Sequence, residues 1–240
     1  MTPRILVVDI ETAPGRAYIW SLFDNGPIPL ERLIEPGRIL CWGAKWVGNP
    51  TICQMDERDG RKDMLSGLRL MLIEADAVVS YNGVRFDFPR VNGELLAEGL
   101  EPVPPLTHID LYQTTRKMGY MSNKLQFVAM VLKIGQKLKH AGFGLWKSIV
   151  ETGNADSWDK MLRYNAQDVR LTDRAYKKMR AHIPNHPRLF PNRNHNETCH
   201  KCGSTRLQSR GHRYTRMFKI ERFQCLGCGS WPEGKRSKIR

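Results

Sequence analysis

The chain has 240 residues, 41% of them hydrophobic, and a formal net charge of +14. That length allows one large domain or one domain with a small module, and the apolar content supports a real core. No apolar run approaches the ~18 residues of a membrane span, and Met-Thr-Pro-Arg leads straight into an apolar run without a secretory signal, so the cytoplasm (bacterial or phage-infected host) is the expected compartment.

Ile5-Leu6-Val7-Val8-Asp9-Ile10-Glu11-Thr12 is rich in β-branched residues and predicts a strand. Alternate side chains share a face, so Asp9 and Glu11 point the same way. Two carboxylates at the end of a buried strand repel and lose hydration, which asks for a positive charge between them. A divalent metal is the simplest answer, and a half-buried strand with an acidic face is the plainer one. Residues 16–37 read as an irregular excursion with a short helix at most. Arg38–Val47 and Thr51–Met55 complete a three-strand meander. In Arg61–Glu74, Met64, Leu65, Leu68, Leu72 and Ile73 recur at helical spacing. Ala77–Tyr81 is a fourth strand ended by Asn82-Gly83, Phe88–Gly99 a helix, Thr107–Leu111 a fifth strand and Lys124–Leu132 a helix. Ile134–Gly144 is a basic loop with Lys137, Lys139 and His140, and Asp156–His182 a long helix capped by Asp156. This order implies an α/β fold, a mixed five-stranded sheet flanked by helices.

Two further acidic positions stand out. Asp87 follows a strand and a Gly-bearing turn, where sites on α/β sheets collect, although an Asp there is equally a helix cap. Tyr164 and Asp168 are four apart and project from one helix face; the plainer alternative is a surface Asp paired with Arg163 or Arg170.

Residues 183–198 are rich in Pro and Asn and read as a linker. From Cys199 onward eleven Lys and Arg face two acids, so this tail carries +9 of the total charge and suggests a polyanionic partner. Cys41 and Cys53 sit singly on apolar segments and read as buried thiols. The other four cysteines form two Cys-x-x-Cys pairs, Cys199/Cys202 and Cys225/Cys228, separated by 22 residues. Four thiolates give a closed tetrahedral site suited to structural Zn²⁺, leaving His195, His200 and His212 surplus. Gly203, Gly227 and Gly229 suit the tight knuckles, and Arg213–Gln224 alternates as a β-hairpin should. The segment resembles a zinc ribbon. Arg206, Arg210, Arg213, Arg216, Lys219 and Arg222 interleave with Tyr214, Phe218 and Phe223, the mixture expected of a single-strand binder. A protein-docking ribbon with its aromatics packed inside is the rival.

Asp9-Ile10-Glu11, Asn82-Gly83-x-x-Phe86-Asp87 and Tyr164-x-x-x-Asp168 resemble, in order and spacing, the three motifs of the DEDD (DnaQ-like) 3′–5′ exonucleases. These have the RNase H-like fold and include the proofreading domains of DNA polymerases. The middle motif is most similar to that of family B polymerases. The wider pattern, including the Trp20 region and Lys45-Trp46, resembles stand-alone phage-type members, over about residues 4–182. Tyr164 four before Asp168, with Arg163 where the other branch has His, is the pattern of the tyrosine branch, DEDDy.

The resemblance implies an RNase H-like exonuclease domain over residues 1–183, which composition and cysteine spacing follow with a linker over 184–198 and a zinc ribbon with a basic tail over 199–240. It implies 3′–5′ hydrolysis of phosphodiester bonds, mainly in single-stranded DNA or at 3′ ends, with two Mg²⁺ or Mn²⁺ ions. Asp9 would bridge both ions, Glu11 and Asp168 complete one site and Asp87 hold the other. Tyr164, with an ordinary pKa of ~10, would orient the nucleophile rather than act as base. Thr12 would contact the terminal nucleotide, and Asn82 the substrate backbone or its own loop. An exoribonuclease, an RNase H-like endonuclease or resolvase, and a catalytically silent nucleic-acid-binding protein are the alternatives.

Overall fold

The strand expected near the N-terminus forms, and the molecule is layered on its two faces. The computed structural model describes residues 2–23, 26–138, 142–190 and 198–239. In chain order its elements are β1 (Ile5–Thr12), β2 (Arg16–Ala17), β3 (Leu33–Glu35), β4 (Ile39–Trp46), β5 (Cys53–Asp56), α1 (Arg61–Ile73), β6 (Ala77–Ser80), α2 (Asp87–Ala97) and β7 (His108–Asp110). They continue with α3 (Leu111–Thr115), α4 (Leu125–Leu132), α5 (Phe143–Thr152), α6 (Ala155–Met179), β8 (Leu207–Tyr214), β9 (Phe218–Cys225) and β10 (Glu233–Lys238).

The mixed five-stranded sheet has the order β5-β4-β1-β6-β7. β1 is central, antiparallel to β4 and parallel to β6. Its alternation assigns the layers. Leu6, Val8 and Ile10 pack with Trp42, Met64, Leu68, Val91 and Leu95 on the α1/α2 side. Ile5 and Val7 pack with Val169, Ala175, Tyr176 and Met179 on the α6 side. Asp9 and Glu11 continue that second row, so the pleat turns both carboxylates toward α6. Among the described residues, no helix is long and apolar enough to cross a membrane.

Several expectations are corrected. The excursion over residues 16–37 contains a small antiparallel ribbon, β2 with β3, as well as a short 3-10 turn at Leu30–Arg32. α3 and α5 were not anticipated: α3 has 5 residues, too few for a period, and α5 is held by Leu145 and Ile149 packing against Trp158 and Met161 of α6. Lys139 and His140 lie outside the described residues. Asn154, not Asp156, caps α6, its side chain accepting from Ser157 N at 2.9 Å. Cys41 is buried as expected, but Cys53 is exposed because it opens the edge strand β5.

The first half of the expected linker is packed rather than loose: Ile183 and His186 are buried. His186 Nδ1 lies 2.8 Å from Pro187 O, so the N–H belongs there and Nε2 accepts from the Tyr176 hydroxyl at 2.9 Å. Burial pushes the imidazole down to about 4. A His depressed in the folded state contributes stability that is present above its unfolded pKa and lost as pH falls toward the folded one. From an unfolded value of ~6.5, this predicts a loss of about 2 kcal/mol by pH 5 relative to pH 7.5. Melting curves of wild type and His186→Gln check it: the gap between the two should narrow as pH falls, and a constant gap contradicts the assignment.

In the cysteine-bearing segment, β8 and β9 form the expected hairpin, one strand longer than the sequence suggested. The basic C-terminal stretch adds β10, giving the order β10-β9-β8. Lys201 ties this segment to the end of the long helix, its Nζ donating to Ala181 O at 3.1 Å and Ile183 O at 2.9 Å.

Candidate functional site

Asp9 and Glu11 from β1 meet Asp168 from α6, with carboxylate oxygens all within 4.8 Å of one another. Asp168 is 4% exposed, so it is no surface acid. Asp87 stands at the rim of the trio. It opens α2 but does not cap it; the cap position is Phe86, without a side-chain bond. Its Oδ1 instead accepts from Ile10 N at 3.2 Å, which aims the carboxylate at β1 between Asp9 and Glu11. The helix-cap alternative therefore falls away.

Crowding and burial make these groups hard to ionise. Burial raises the Asp9 carboxyl well above the usual carboxylate range, and the charges of Asp87, Glu11 and Asp168 raise it further. Burial, then Asp168, pushes Glu11 up to about 8. Burial pushes Asp87 up to about 7 against the N–H bonds it accepts. Such a set is stabilised as carboxylates only by added positive charge. Its donors are all hard oxygens, which fits Mg²⁺ or Mn²⁺.

One cation comes from the chain. Lys137 Nζ pairs with Asp168 Oδ2 and donates to the Tyr164 hydroxyl at 3.1 Å. Although burial opposes it, Asp168 and these bonds hold the ammonium well above its ordinary range. Burial and the Asp168 charge also raise Tyr164, keeping the phenol protonated at neutral pH. The sequence showed Lys137 only as part of a basic loop; nothing local says that this loop folds over α6, 31 residues away.

Asn165 was also missed. It is fully buried, and its Nδ2 donates to Asp9 Oδ2 at 3.0 Å and Asp9 O at 3.2 Å. Its Oδ1 accepts from Gln54 Nε2 at 3.1 Å, so a chain from β5 through α6 holds Asp9 in orientation. Gly43, paired with Asp9 across β1 and β4, makes room: a Cβ there would lie 2.2 Å from Asn165 Oδ1. We expect Gly43→Ala to destabilise the protein by about 1–3 kcal/mol and to lower any activity of the site further than that loss explains. Thermal melts beside initial rates on folded protein check this.

Asp9, Asp168, Lys137 and Tyr164 border a cleft of 790 Å³ that also includes Tyr81, Asn82 and Lys124. Asn82 adopts φ 71°, with its N–H held by Asp110 Oδ1 at 2.8 Å. Thr12 is half-buried at the end of β1, beyond a register shift after Glu11.

The four expected thiols also come together. Cys199, Cys202, Cys225 and Cys228 form one cluster, with Sγ separations of 3.8 Å for Cys199–Cys228 and 3.6 Å for Cys202–Cys225. Ligands at ~2.3 Å in a tetrahedron are ~3.8 Å apart, so the cluster suits Zn²⁺. The two knuckles repeat one design: Gly203 N donates to Cys199 O and Gly229 N to Cys225 O, both at 2.8 Å and both at left-handed φ. Neither His200 nor His212 belongs to the cluster, and His195 lies outside the described residues. The ribbon cations are less available than the sequence suggested. Arg210 donates to Gln224, Arg213 pairs with Glu233, Arg222 donates to Arg210 O and Arg206 to Leu226 O. Arg216 and Lys219 are exposed, as is Tyr214, whereas Phe218 and Phe223 are half-buried.

A protein-family model described as the RNase_H superfamily matches residues 41–180. That range holds Asp87, Tyr164 and Asp168, while Asp9 and Glu11 precede it and reach the same site through β1. No curated protein matches the chain. Among solved structures it is similar to the family B DNA polymerase from the hyperthermophilic archaeon Pyrobaculum calidifontis, with a TM-score of 0.54 and 19% identity over 74% of this chain. The matched region spans only 24% of that polymerase chain, and at this identity the likeness is one of fold.

Proposed function

The chain belongs to the RNase H superfamily, and from that premise we propose that it is a metal-dependent 3′–5′ exonuclease of the tyrosine branch, acting mainly on single-stranded DNA. The observation that carries this reading is the gathering of Asp9, Glu11 and Asp168 within 4.8 Å, with Asp87 beside them. Asp9, Glu11 and Asp168 would hold one divalent cation, and Asp9 with Asp87 a second. When bound, the pair would polarise the scissile phosphate and acidify the attacking water.

The remaining chemistry falls to the chain itself. Tyr164 stays protonated, so its role is to donate a hydrogen bond that orients the attacking water, not to remove its proton. Lys137, bonded to Tyr164 and Asp168, would balance charge on a phosphate oxygen. Asn165 keeps Asp9 in one orientation as charge shifts around it. The cysteine segment would be a structural zinc ribbon, with Arg216, Lys219 and Tyr214 as its outward nucleic-acid contacts. Residues 1–183 would be the catalytic unit and 199–240 the accessory one, with the segment between them joining the two.

A degradation time course tests the assignment, using DNA and RNA oligonucleotides blocked at the 3′ or the 5′ end, and a circular single strand, with Mg²⁺ or Mn²⁺. Protection by the 3′ block and survival of the circle are expected. Cutting of the circle points to an endonuclease instead, and faster loss of RNA to an exoribonuclease.

A further inference from the structure

Beside Asn82 and Tyr112 the catalytic cleft has a neighbouring hollow of 410 Å³, whose walls include Asn82, Arg85, Asp110, Tyr112, Arg116 and Lys117. Asn82 and Tyr112 line both, so the two spaces adjoin across these residues. The volume lies in the ~300–1,000 Å³ range of small-ligand sites.

Three cations, Arg85, Arg116 and Lys117, border the hollow. Arg4, Arg16, Arg38, Arg58, Arg61 and Arg69 all pair with carboxylates. Arg85, Arg116 and Lys117 are exposed, and no ion pair to any of them is found among the described residues. The acid in the hollow does not neutralise them. Asp110 is buried, and its carboxylate accepts from the backbone N–H groups of Asn82 at 2.8 Å, Tyr112 at 3.0 Å and Val84 at 3.3 Å. Three peptide dipoles thus absorb its charge while fixing the loop that carries both Arg85 and Asp87. At the junction of the two spaces, Tyr112 meets Tyr81 edge-on with ring centroids 6.1 Å apart, an aromatic surface of the kind on which bases stack.

We propose that this hollow binds phosphodiesters of the substrate strand on the side away from its cut end. The strand then leaves the catalytic cleft over Tyr112, between the Asn82–Asp87 loop and the end of α3. The assignment rests on the nuclease reading for the identity of the ligand. Adjacency to a site for phosphodiesters favours a nucleic-acid strand over an acidic peptide.

The test is the salt dependence of binding by the full-length, metal-loaded protein, read by fluorescence anisotropy on a labelled single-stranded oligonucleotide that is blocked at its 3′ end against degradation and long enough to leave the catalytic cleft. Each phosphate contact to a single strand contributes ~0.7 to the slope of log affinity against log salt. Arg85→Ala/Arg116→Ala/Lys117→Ala should therefore lower the slope by about 2. Between 50 and 200 mM salt, wild type should lose roughly 20-fold more affinity than the variant. Lys160→Ala/Lys178→Ala, on the exposed face of α6, should keep the wild-type slope. A triple variant with the wild-type slope, or one whose loss is matched by this control, overturns the proposal. So does a wild-type protein that binds an acidic peptide in preference to the oligonucleotide. A reduced slope in a protein that cuts none of the substrates keeps the hollow as a strand site and rejects the nuclease reading instead.

Discussion

Asp9→Asn will lower metal-dependent phosphodiester cleavage by at least about a thousandfold while the protein stays folded. Asp9 is the carboxylate common to both proposed cation sites, and metal stabilisation of a phosphoryl transition state is worth several kcal/mol, at ~1.4 kcal/mol per tenfold in rate. Asp87→Asn touches one site only and should cost less, roughly 10–100-fold, with partial rescue at higher metal concentration. The same substitutions carry a signature in stability. Burial and neighbouring acids raise the Asp9, Glu11 and Asp87 carboxyls above their unfolded values. A group shifted in that sense contributes stability below its unfolded pKa and loses it as pH rises through the folded one. With Glu11 at about 8 and Asp87 at about 7, the metal-free protein should lose melting temperature between pH 5 and pH 8. Mg²⁺ or Mn²⁺ should restore it, more at pH 8 than at pH 5. Asp9→Asn should flatten both trends, because it removes one of the competing charges. Calorimetry in chelator and in metal reads these changes independently of turnover. Full activity in Asp9→Asn would remove the two-cation assignment, and a pH trend in melting identical in wild type and Asp9→Asn, both of which carry the opposing His186 contribution, would remove the account of the acids.

Extracting the Zn²⁺ proposed for the cysteine cluster should unfold residues 199–239 and leave the α/β layers standing. This segment has almost no core without it: its buried apolar residues are Cys199, Ile220 and Cys225, two of them candidate ligands. A module of this size buries too little surface to fold alone, and structural Zn²⁺ supplies an apparent ~10–16 kcal/mol to small folds of this kind. The sheet from β8 to β10 should then become protease-sensitive after chelation or in Cys225→Ser. The segment as far as His186 should stay resistant, since the His186 bond to Tyr176 holds it on the long helix independently of the Lys201 bonds from the ribbon. Ser230, whose hydroxyl lies 3.1 Å from both Cys199 Sγ and Cys228 Sγ, should tune metal affinity without abolishing it when changed to Ala. Zinc quantification beside limited proteolysis checks both statements. A Cys225→Ser ribbon that resists protease as well as wild type would contradict the metal's structural role.

Much of this architecture was legible residue by residue. The β-branched run before Asp9, the helical spacing of Met64, Leu65, Leu68 and Leu72, and the paired Cys-x-x-Cys turns are all local signals, since strand alternation, helix period and knuckle geometry act over a few residues. The same logic put Asp9 and Glu11 on one face and Tyr164 and Asp168 on another before any contact was known. The misses fall where the deciding contact is distant or the element too short. α3 and the β2–β3 ribbon have no period to read, and the Asn154 cap outcompeted Asp156 through a single side-chain bond. Ribbon arginines that looked outward by composition are bonded across the sheet: Arg210 to Gln224 on the neighbouring strand β9, and Arg213 across β9 to Glu233 at the start of β10.

Local chemistry was enough for the central strand, the acids at its end and the clustered thiols. Their partners were settled only by the packed fold. Asn165 stands 156 residues from the Asp9 it orients, and Lys137 reaches Asp168 by a loop crossing whose course no short-range preference encodes. The reason is entropic as well as geometric. Joining such distant groups costs loop closure that only the burial of both sheet faces offsets, so those contacts exist as consequences of the core and not of the segments that make them.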